Sequence, residues 1–239
     1  MELYEILYEG SKQMGIEIGE EEVRALLKYK EILLEWNQKM NLTAIREERE
    51  VIIKHFLDSL SCVKVKQLKG SGKIIDVGTG AGFPGIPLKL VLPQLQLSLL
   101  DSLNKRINFL KEVSLQLGLE GIEFIHGRAE DYGRDNDYRE KYDYAVARAV
   151  APLNILAEYC LPFVRVGGYF ICQKGRDLDN EILEAKKAIN LLGGRLVDKM
   201  EIELPFSDII HSILVIEKVK AMPTKYPRKA GKPTRNPIK

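Results

Sequence analysis

No apolar run in this 239-residue chain approaches the ~20 residues that a membrane span needs. The opening "MELYEILYEGSK" sets acids among its apolar residues and lacks the basic start of a secretory signal. A protein off the membrane and in the cytoplasm is therefore expected. Cysteine is scarce: Cys62, Cys160 and Cys172 are odd in number and share no metal-ligand spacing. That argues against a disulfide framework and for buried thiols in a reducing compartment. Three scattered histidines, His55, His126 and His211, do not suggest a metal site, and none is expected. Acids are missing from residues 218–239, which carry eight Lys or Arg. The net charge of +2 thus divides into a +8 tail and a body of −6, with 28 basic against 34 acidic residues. Such a tail either seeks a polyanion or stays solvated.

Apolar residues make up 45% of the chain, enough for a substantial core and too many for global disorder. The texture divides it into a helical extension (1–72), a larger domain (73–219) and a basic, proline-rich tail (220–239). In the extension, Val23, Leu26, Leu27, Leu33 and Leu34 recur at three–four spacing, interrupted by Lys30, and predict an amphipathic helix. A further helix is predicted over 47–62. From Lys73 onward, short apolar runs ("KIIDV", "LQLSLLD", "IEFIH", "YDYAVA", "GGYFICQK") alternate with helical patterns at 85–92, 104–117, 153–160 and 178–192. That alternation predicts an α/β fold with a mostly parallel sheet covered on both faces. "GRLVDKMEIEL" and "SILVIEKV", separated by "PFSD", predict a terminal antiparallel hairpin. Four of the ten prolines lie in 223–237, so the tail is expected to be extended.

The stretch "DVGTGAGFPG" (76–85) carries the chemistry. Four glycines between a strand and a helix let backbone N–H groups approach an anion or cofactor without a Cβ in the way. Counted from Gly80, the stretch fits GxGxxG, the dinucleotide turn of an NAD(P)-dependent oxidoreductase. Counted from Asp76, it is an acidic–glycine loop suited to S-adenosylmethionine. Asp101, closing "LSLLD", stands where an adenosine presents its two ribose hydroxyls, and both frames require it. Asp76 favours methyl transfer, because dinucleotide folds normally keep that strand position apolar. An acid there serves the cofactor's ammonium group, directly or through water. The terminal hairpin points the same way.

Over nearly its full length the chain resembles the glucose-inhibited division protein B family of bacterial small-subunit ribosomal RNA methyltransferases. The resemblance rests on "EWNQKMNLTAI" (35–45), "HFLDSL" (55–60), "DVGTGAGFPGIPL" (76–88) and "LLDSLNKRINFL" (99–110). It continues through "GRAEDY" (127–132), "ARAVAPL" (147–153), "KG" (174–175) and "YPRKAGKP" (226–233). Thr79 stands where many members are expected to carry serine, which preserves a hydroxyl. The resemblance implies a Rossmann-like class I S-adenosylmethionine-dependent methyltransferase: a mostly parallel seven-stranded sheet with a terminal antiparallel hairpin and an N-terminal helical extension. It implies methylation of N7 of a guanine in 16S ribosomal RNA, naked or in the small-subunit particle; a monomer is expected. Gly78 and the backbone after it, through Gly80, would border the methionine part of the cofactor. Phe83 would pack on the ligand, Asp101 would hold the ribose, and Ser102 and Leu103 would line the adenine. Ala129 and Glu130 would meet the adenine edge, partly through backbone N–H groups. Arg148 would serve the cofactor carboxylate or an RNA phosphate, or else pair with a nearby acid.

Guanine N7 has an in-plane lone pair and no proton, so its attack on a methyl group needs no general base. Methylation of an exocyclic amine commonly uses an Asp-Pro-Pro-Tyr-like acceptor after the fourth strand, where this chain has "ARAVAPL". Carbon methylation of pyrimidines needs a cysteine nucleophile, and neither Cys160 nor Cys172 stands in a motif for one. No catalytic acid or base is expected, and the loop at 148–152 would face the target base. For the RNA, the tail offers cations with Tyr226 for stacking, and Asn37, Lys39 and Asn41 cluster near a helix end. Trp36 as core and Asn41 as a turn residue are the plainer alternatives. His55 and Asp58, one helical turn apart, are a further candidate pair there, with simple pairing on a helix surface as the plainer alternative. A ribosomal RNA-binding protein with a vestigial cofactor pocket is the non-enzymatic alternative.

Overall fold

Neighbouring residues in a strand face opposite sides of a sheet. Ile74 and Ile75 are both fully buried, each in a different apolar cluster, so the sheet they belong to is covered twice. The computed structural model describes residues 1–148, 151–176 and 178–239. Its strands are β1 (Gly72–Val77), β2 (Leu95–Asp101), β3 (Ile122–His126), β4 (Tyr142–Arg148), β5 (Val164–Lys174), β6 (Gly194–Glu203) and β7 (Ile210–Lys218). They form one sheet in the order β3-β2-β1-β4-β5-β7-β6. The first five pair in parallel, and β7 runs antiparallel to both β5 and β6. The expected hairpin is therefore present, and it inserts a reversed strand where a dinucleotide fold continues in parallel. This is the Rossmann-like methyltransferase fold. The strand order reverses beside β1, and open α/β sheets bind ligands at the carboxyl ends of their strands at such a point.

One face is covered by the N-terminal helices. α1 is Leu3–Gln13 and α2 is Glu20–Met40. Val23, Leu26 and Leu33 of α2 are fully buried, each worth about 1.5–3 kcal/mol of apolar transfer. Lys30 does not break this stripe but lies inside it, buried and neutralised by Glu48 at 3.2 Å. The next helical segment changes its winding: α3 (Glu48–Val51), a π-helical stretch (Ile52–Leu57), α4 (Asp58–Leu60) and a 3-10 turn (Ser61–Lys64). On this face and the other, α5 (Gly85–Val91), α6 (Asn104–Gln116), α8 (Leu153–Cys160) and α9 (Asp179–Leu191) match the periodic stretches of the sequence. The short α7 (Ala129–Tyr132) follows β3. All three cysteines are free and buried.

The tail departs from expectation. It includes a one-turn helix, α10 (Lys232–Arg235), and is docked on the body. Arg228 grips the buried Glu158 through its backbone N–H and side chain at 2.6–3.1 Å. The carbonyls of Met222, Tyr226 and Pro227 accept from Arg139 and Arg134. Glu158 is buried, and Arg228 supplies the cation that answers its charge, which holds the proline-rich segment against the body. Lys220, Lys225, Lys229, Lys232, Arg235 and Lys239 remain exposed.

Candidate cofactor and substrate site

The glycine loop leaves β1 and crosses to β2, where the Gly78 and Thr79 N–H groups donate to the Leu100 carbonyl at 2.9 and 3.1 Å. Gly80 has φ +62°, which disfavours any L side chain, and a Cβ there would touch only the Gly78 carbonyl oxygen, at 4.0 Å. Gly82, at φ +96°, is required for packing as well: a Cβ there would meet Tyr29, Ile86 and Leu110. The Tyr29 hydroxyl of α2 donates to the Ala81 carbonyl, so the N-terminal helices fix the loop.

Asp76 does not face the crevice. It is fully buried beneath the loop, where its Oδ2 accepts from the Thr79 hydroxyl and the Gly85 N–H, both at 2.8 Å. Its Oδ1 is buried without a partner among the described residues, and burial pushes its pKa up to about 6. The position expected to meet an ammonium group therefore acts first as a brace for the turn.

Asp101 is placed as expected, at the end of β2 and facing the loop. Its Oδ2 accepts from Gly80 N–H at 3.0 Å and from Arg106 at 3.1 Å, and its Oδ1 accepts from Leu103 N–H at 2.9 Å. Ser102 is exposed, and Leu103 presents an apolar surface that is 43% exposed. Around these residues lie two chambers that share Gly78. The smaller, about 170 Å³, is lined by Leu100, Asp101, Ser102, Ala129, Glu130 and Tyr159, among others. The larger, about 450 Å³, is lined by Gly80, Phe83, His55, Arg106, Arg148 and His211, among others. Of the ten residues expected to bind a cofactor, eight line one or both chambers, while Leu103 lies outside their walls and Asp76 below. The Glu130 carboxylate accepts the Gly231 N–H of the tail at 2.8 Å.

Arg148 anchors the far wall. Of its three alternatives, the pair with an acid is present: it meets the buried Asp58 at 2.8 Å. It also donates toward the Lys54 and His55 carbonyls at 3.2 and 3.4 Å. Both carbonyls belong to the π-helical stretch, and such turns gather at functional sites. The guanidinium lies 4.9 Å from the Phe83 ring centre, and the His55 ring stacks on Phe83 at 4.6 Å. Phe83 is thus both core and chamber wall, with only 5% of it exposed.

His55 and Asp58 do not pair on a helix surface; both turn inward to Arg148. Arginine has only donors, so His55 Nδ1 accepts from Arg148 at 3.1 Å and Nε2 carries the proton, donating to Thr43 at 2.8 Å. Burial and Arg148 hold the His55 pKa near 3. His211 Nδ1 meets Asp58 at 2.8 Å, and the Gln173 side chain donates to the Asp58 carbonyl at 2.6 Å. Sequence spacing could not find His211 or Gln173, which reach Asp58 from β7 and β5. Asn37 is a structural tie, bonded twice to the Thr43 backbone, and Asn41 is a left-handed turn residue with φ +45°. Trp36 packs on Phe109 at 5.6 Å. The plainer alternatives hold for both Trp36 and Asn41. Of the loop expected to face a target base, residues 149 and 150 lie outside the described residues.

A family model described as rRNA small subunit methyltransferase G matches residues 22–203. A ribosomal RNA small subunit methyltransferase G of Alkaliphilus oremlandii is 64% identical over the full length of both chains. One of Thermoanaerobacter sp. (strain X514) is 58% identical over 98% of each. Among solved structures, the fibrillarin pre-rRNA processing protein of Methanococcus jannaschii superposes with a TM-score of 0.51 at 22% identity, covering 66% of this chain and 71% of its own. TrmN of Thermus thermophilus superposes with a TM-score of 0.52 at 17% identity, covering 70% and 53%. At those identities the two structures bear on fold alone. The family match over most of the chain, and the full-length relatives, settle its kinship: the chain belongs to the rRNA small subunit methyltransferase G family.

Proposed function

We propose that the protein methylates N7 of a guanine in 16S ribosomal RNA, with S-adenosylmethionine as methyl donor. The observation that carries this reading is Asp101, a buried carboxylate at the end of β2 whose Oδ2 accepts the N–H of Gly80 in the glycine loop at 3.0 Å. The residues present suit that donor. Gly80 lines the larger chamber without a side chain, Asp101 offers a ribose acceptor, and Leu103 offers an apolar face beside them. Gly78 and Gly80 would hold the methionine end and Asp101 the ribose. Ser102, Leu103 and Ala129, with the Glu130 backbone, would hold the adenine. Asp76 would act through the loop it braces. When bound, the donor supplies an electrophilic methyl group.

The chain's own residues then have to hold N7 in line, since a ring nitrogen with a lone pair needs no proton removed. Well-oriented positioning can supply about 7–11 kcal/mol. The neutral His55, the Phe83 ring and the clamped Arg148 form a rigid wall for the larger chamber, suited to positioning rather than proton transfer. Exposed cations on the docked tail supply phosphate contacts for the RNA. The protein works as a monomer in the cytoplasm, where its buried thiols remain reduced. Incubation with labelled donor and small-subunit ribosomal RNA, naked or assembled, followed by nucleoside analysis, tests the proposal. Label in 7-methylguanosine is expected. Label on an exocyclic amine or a ribose would falsify the atom assignment, and no transfer at all would favour a binding protein.

A further inference from the structure

We infer that Arg106 couples the two binding events: the cofactor's ribose displaces it from Asp101, and the released guanidinium binds a substrate phosphate. The inference rests on the proposed function above. It begins with the number of acceptor sites on Asp101. A carboxylate has about four lone-pair sites. Three are used in this structure, by Leu103 N–H on Oδ1 and by Gly80 N–H and Arg106 on Oδ2. Two ribose hydroxyls ask for two sites, and one is left.

Of the three donors, two are backbone groups fixed by the glycine loop and the turn into α6. Arg106 is the side chain, 33% exposed, and the one that can swing away. It also lines the larger chamber, whereas Asp101 lines the smaller one, so their pair stands at the junction of the two.

The larger chamber holds three further cations. Arg148 is paired with Asp58, Lys54 with Glu50 and Lys174 with Glu181. Among the described residues lining that chamber, Arg106 is the cation whose acid is also the expected ribose acceptor. Its place on the helix is electrostatically unfavourable. Lys105 and Arg106 occupy the first turn of α6, which contains no acid, at the positive end of the helix dipole. Two cations there add to a field that attracts anions, and a polyanionic substrate provides them.

The test measures binding, without turnover. Wild type and Arg106→Gln are titrated with S-adenosylhomocysteine by calorimetry. Their affinity for transcribed 16S ribosomal RNA is then measured with and without that compound, over a series of salt concentrations. In wild type, saturating S-adenosylhomocysteine should tighten RNA binding about five-fold or more, and steepen the salt slope by about 0.7, one single-stranded phosphate. Arg106→Gln should bind S-adenosylhomocysteine at least as tightly as wild type and lose both effects. Arg106→Lys, which keeps a point charge, should restore the slope. RNA affinity in wild type that ignores S-adenosylhomocysteine overturns the inference, as does an Arg106→Gln variant that keeps the full coupling. Wild type that fails to bind S-adenosylhomocysteine contradicts the proposed function instead.

Discussion

Arg148 and Asp58 meet at 2.8 Å inside the protein, one at the carboxyl end of a central strand and the other just after a π-helical turn of the N-terminal segment. The pair joins the helical extension to the sheet at the wall of the larger chamber. Removing one partner from such a pair leaves a buried charge unanswered. Arg148→Ala should therefore destabilise the protein by about 3–5 kcal/mol in denaturant unfolding. A loss below about 1 kcal/mol would show that Asp58 is satisfied by His211 and Gln173 alone.

Two buried groups nearby respond to pH with opposite sign. Asp76 titrates near 6 in the fold, above the usual carboxylate value, so the folded state holds a proton that the unfolded chain has lost between about pH 4 and 6. Its contribution to stability falls as pH rises through that window. His55 titrates near 3, below the usual histidine value, so its contribution rises with pH from about 3 to 6.5 and is complete above. In the wild type the two trends offset each other. Relative to wild type, Asp76→Asn should gain stability by roughly 3 kcal/mol from pH 4 to 6. His55→Gln should lose ground over the same range. Parallel profiles for the two variants would refute the assignment.

The tail predicts two separable effects. Arg228→Ala breaks the grip on Glu158 and should lower the melting temperature by several degrees, by undocking the segment that holds Glu130. Replacing the exposed Lys229, Lys232 and Arg235 by glutamine should leave the melting temperature within about a degree and flatten the salt dependence of RNA binding, by up to about 0.7 per lost phosphate contact. Deleting 220–239 mixes the two effects and cannot separate them. An unchanged salt slope in the triple variant would remove the tail from the RNA interface.

Tyr29 should matter to the cofactor without touching it. Tyr29→Phe removes the hydroxyl that donates to Ala81 and leaves the ring stacked between Phe56 and Phe83. A loss of about 1 kcal/mol in stability is expected, together with weaker S-adenosylhomocysteine binding as the loop loosens. Equal affinity in the two proteins would mean that the loop holds its shape unaided.

Much of this architecture was legible in the sequence because buried strands and amphipathic helices carry strong patterns. "LQLSLLD" and "IEFIH" are strands over the stretches expected, since apolar runs bounded by turns have few other places to go. Asp101 was equally legible, as an acid closing such a run. Asp76 was legible as a special residue, but the direction of its side chain was not. That direction is decided by the Thr79 hydroxyl and Gly85 N–H, which exist only once the loop has closed. The His55–Asp58 spacing left their partners open for a related reason. Spacing describes one helix, whereas both side chains are claimed by Arg148 and Asp58 also by His211, from strands far along the chain. In the tail, charge and proline content were visible from the start, while the buried acids that dock it, Glu130 and Glu158, lie on two distant helices.

Calorimetric titration of S-adenosylhomocysteine into wild type and Asp101→Asn tests the central claim most directly, with a melting curve to confirm that the variant is folded. The asparagine keeps the shape of the side chain but removes the charge and one of the two acceptor oxygens. Affinity should fall about ten- to a hundred-fold, matching the ~1.5–3 kcal/mol of hydrogen bonds to a charged group. Equal affinities in two folded proteins would place the adenosine somewhere other than the carboxyl ends of β1 and β2.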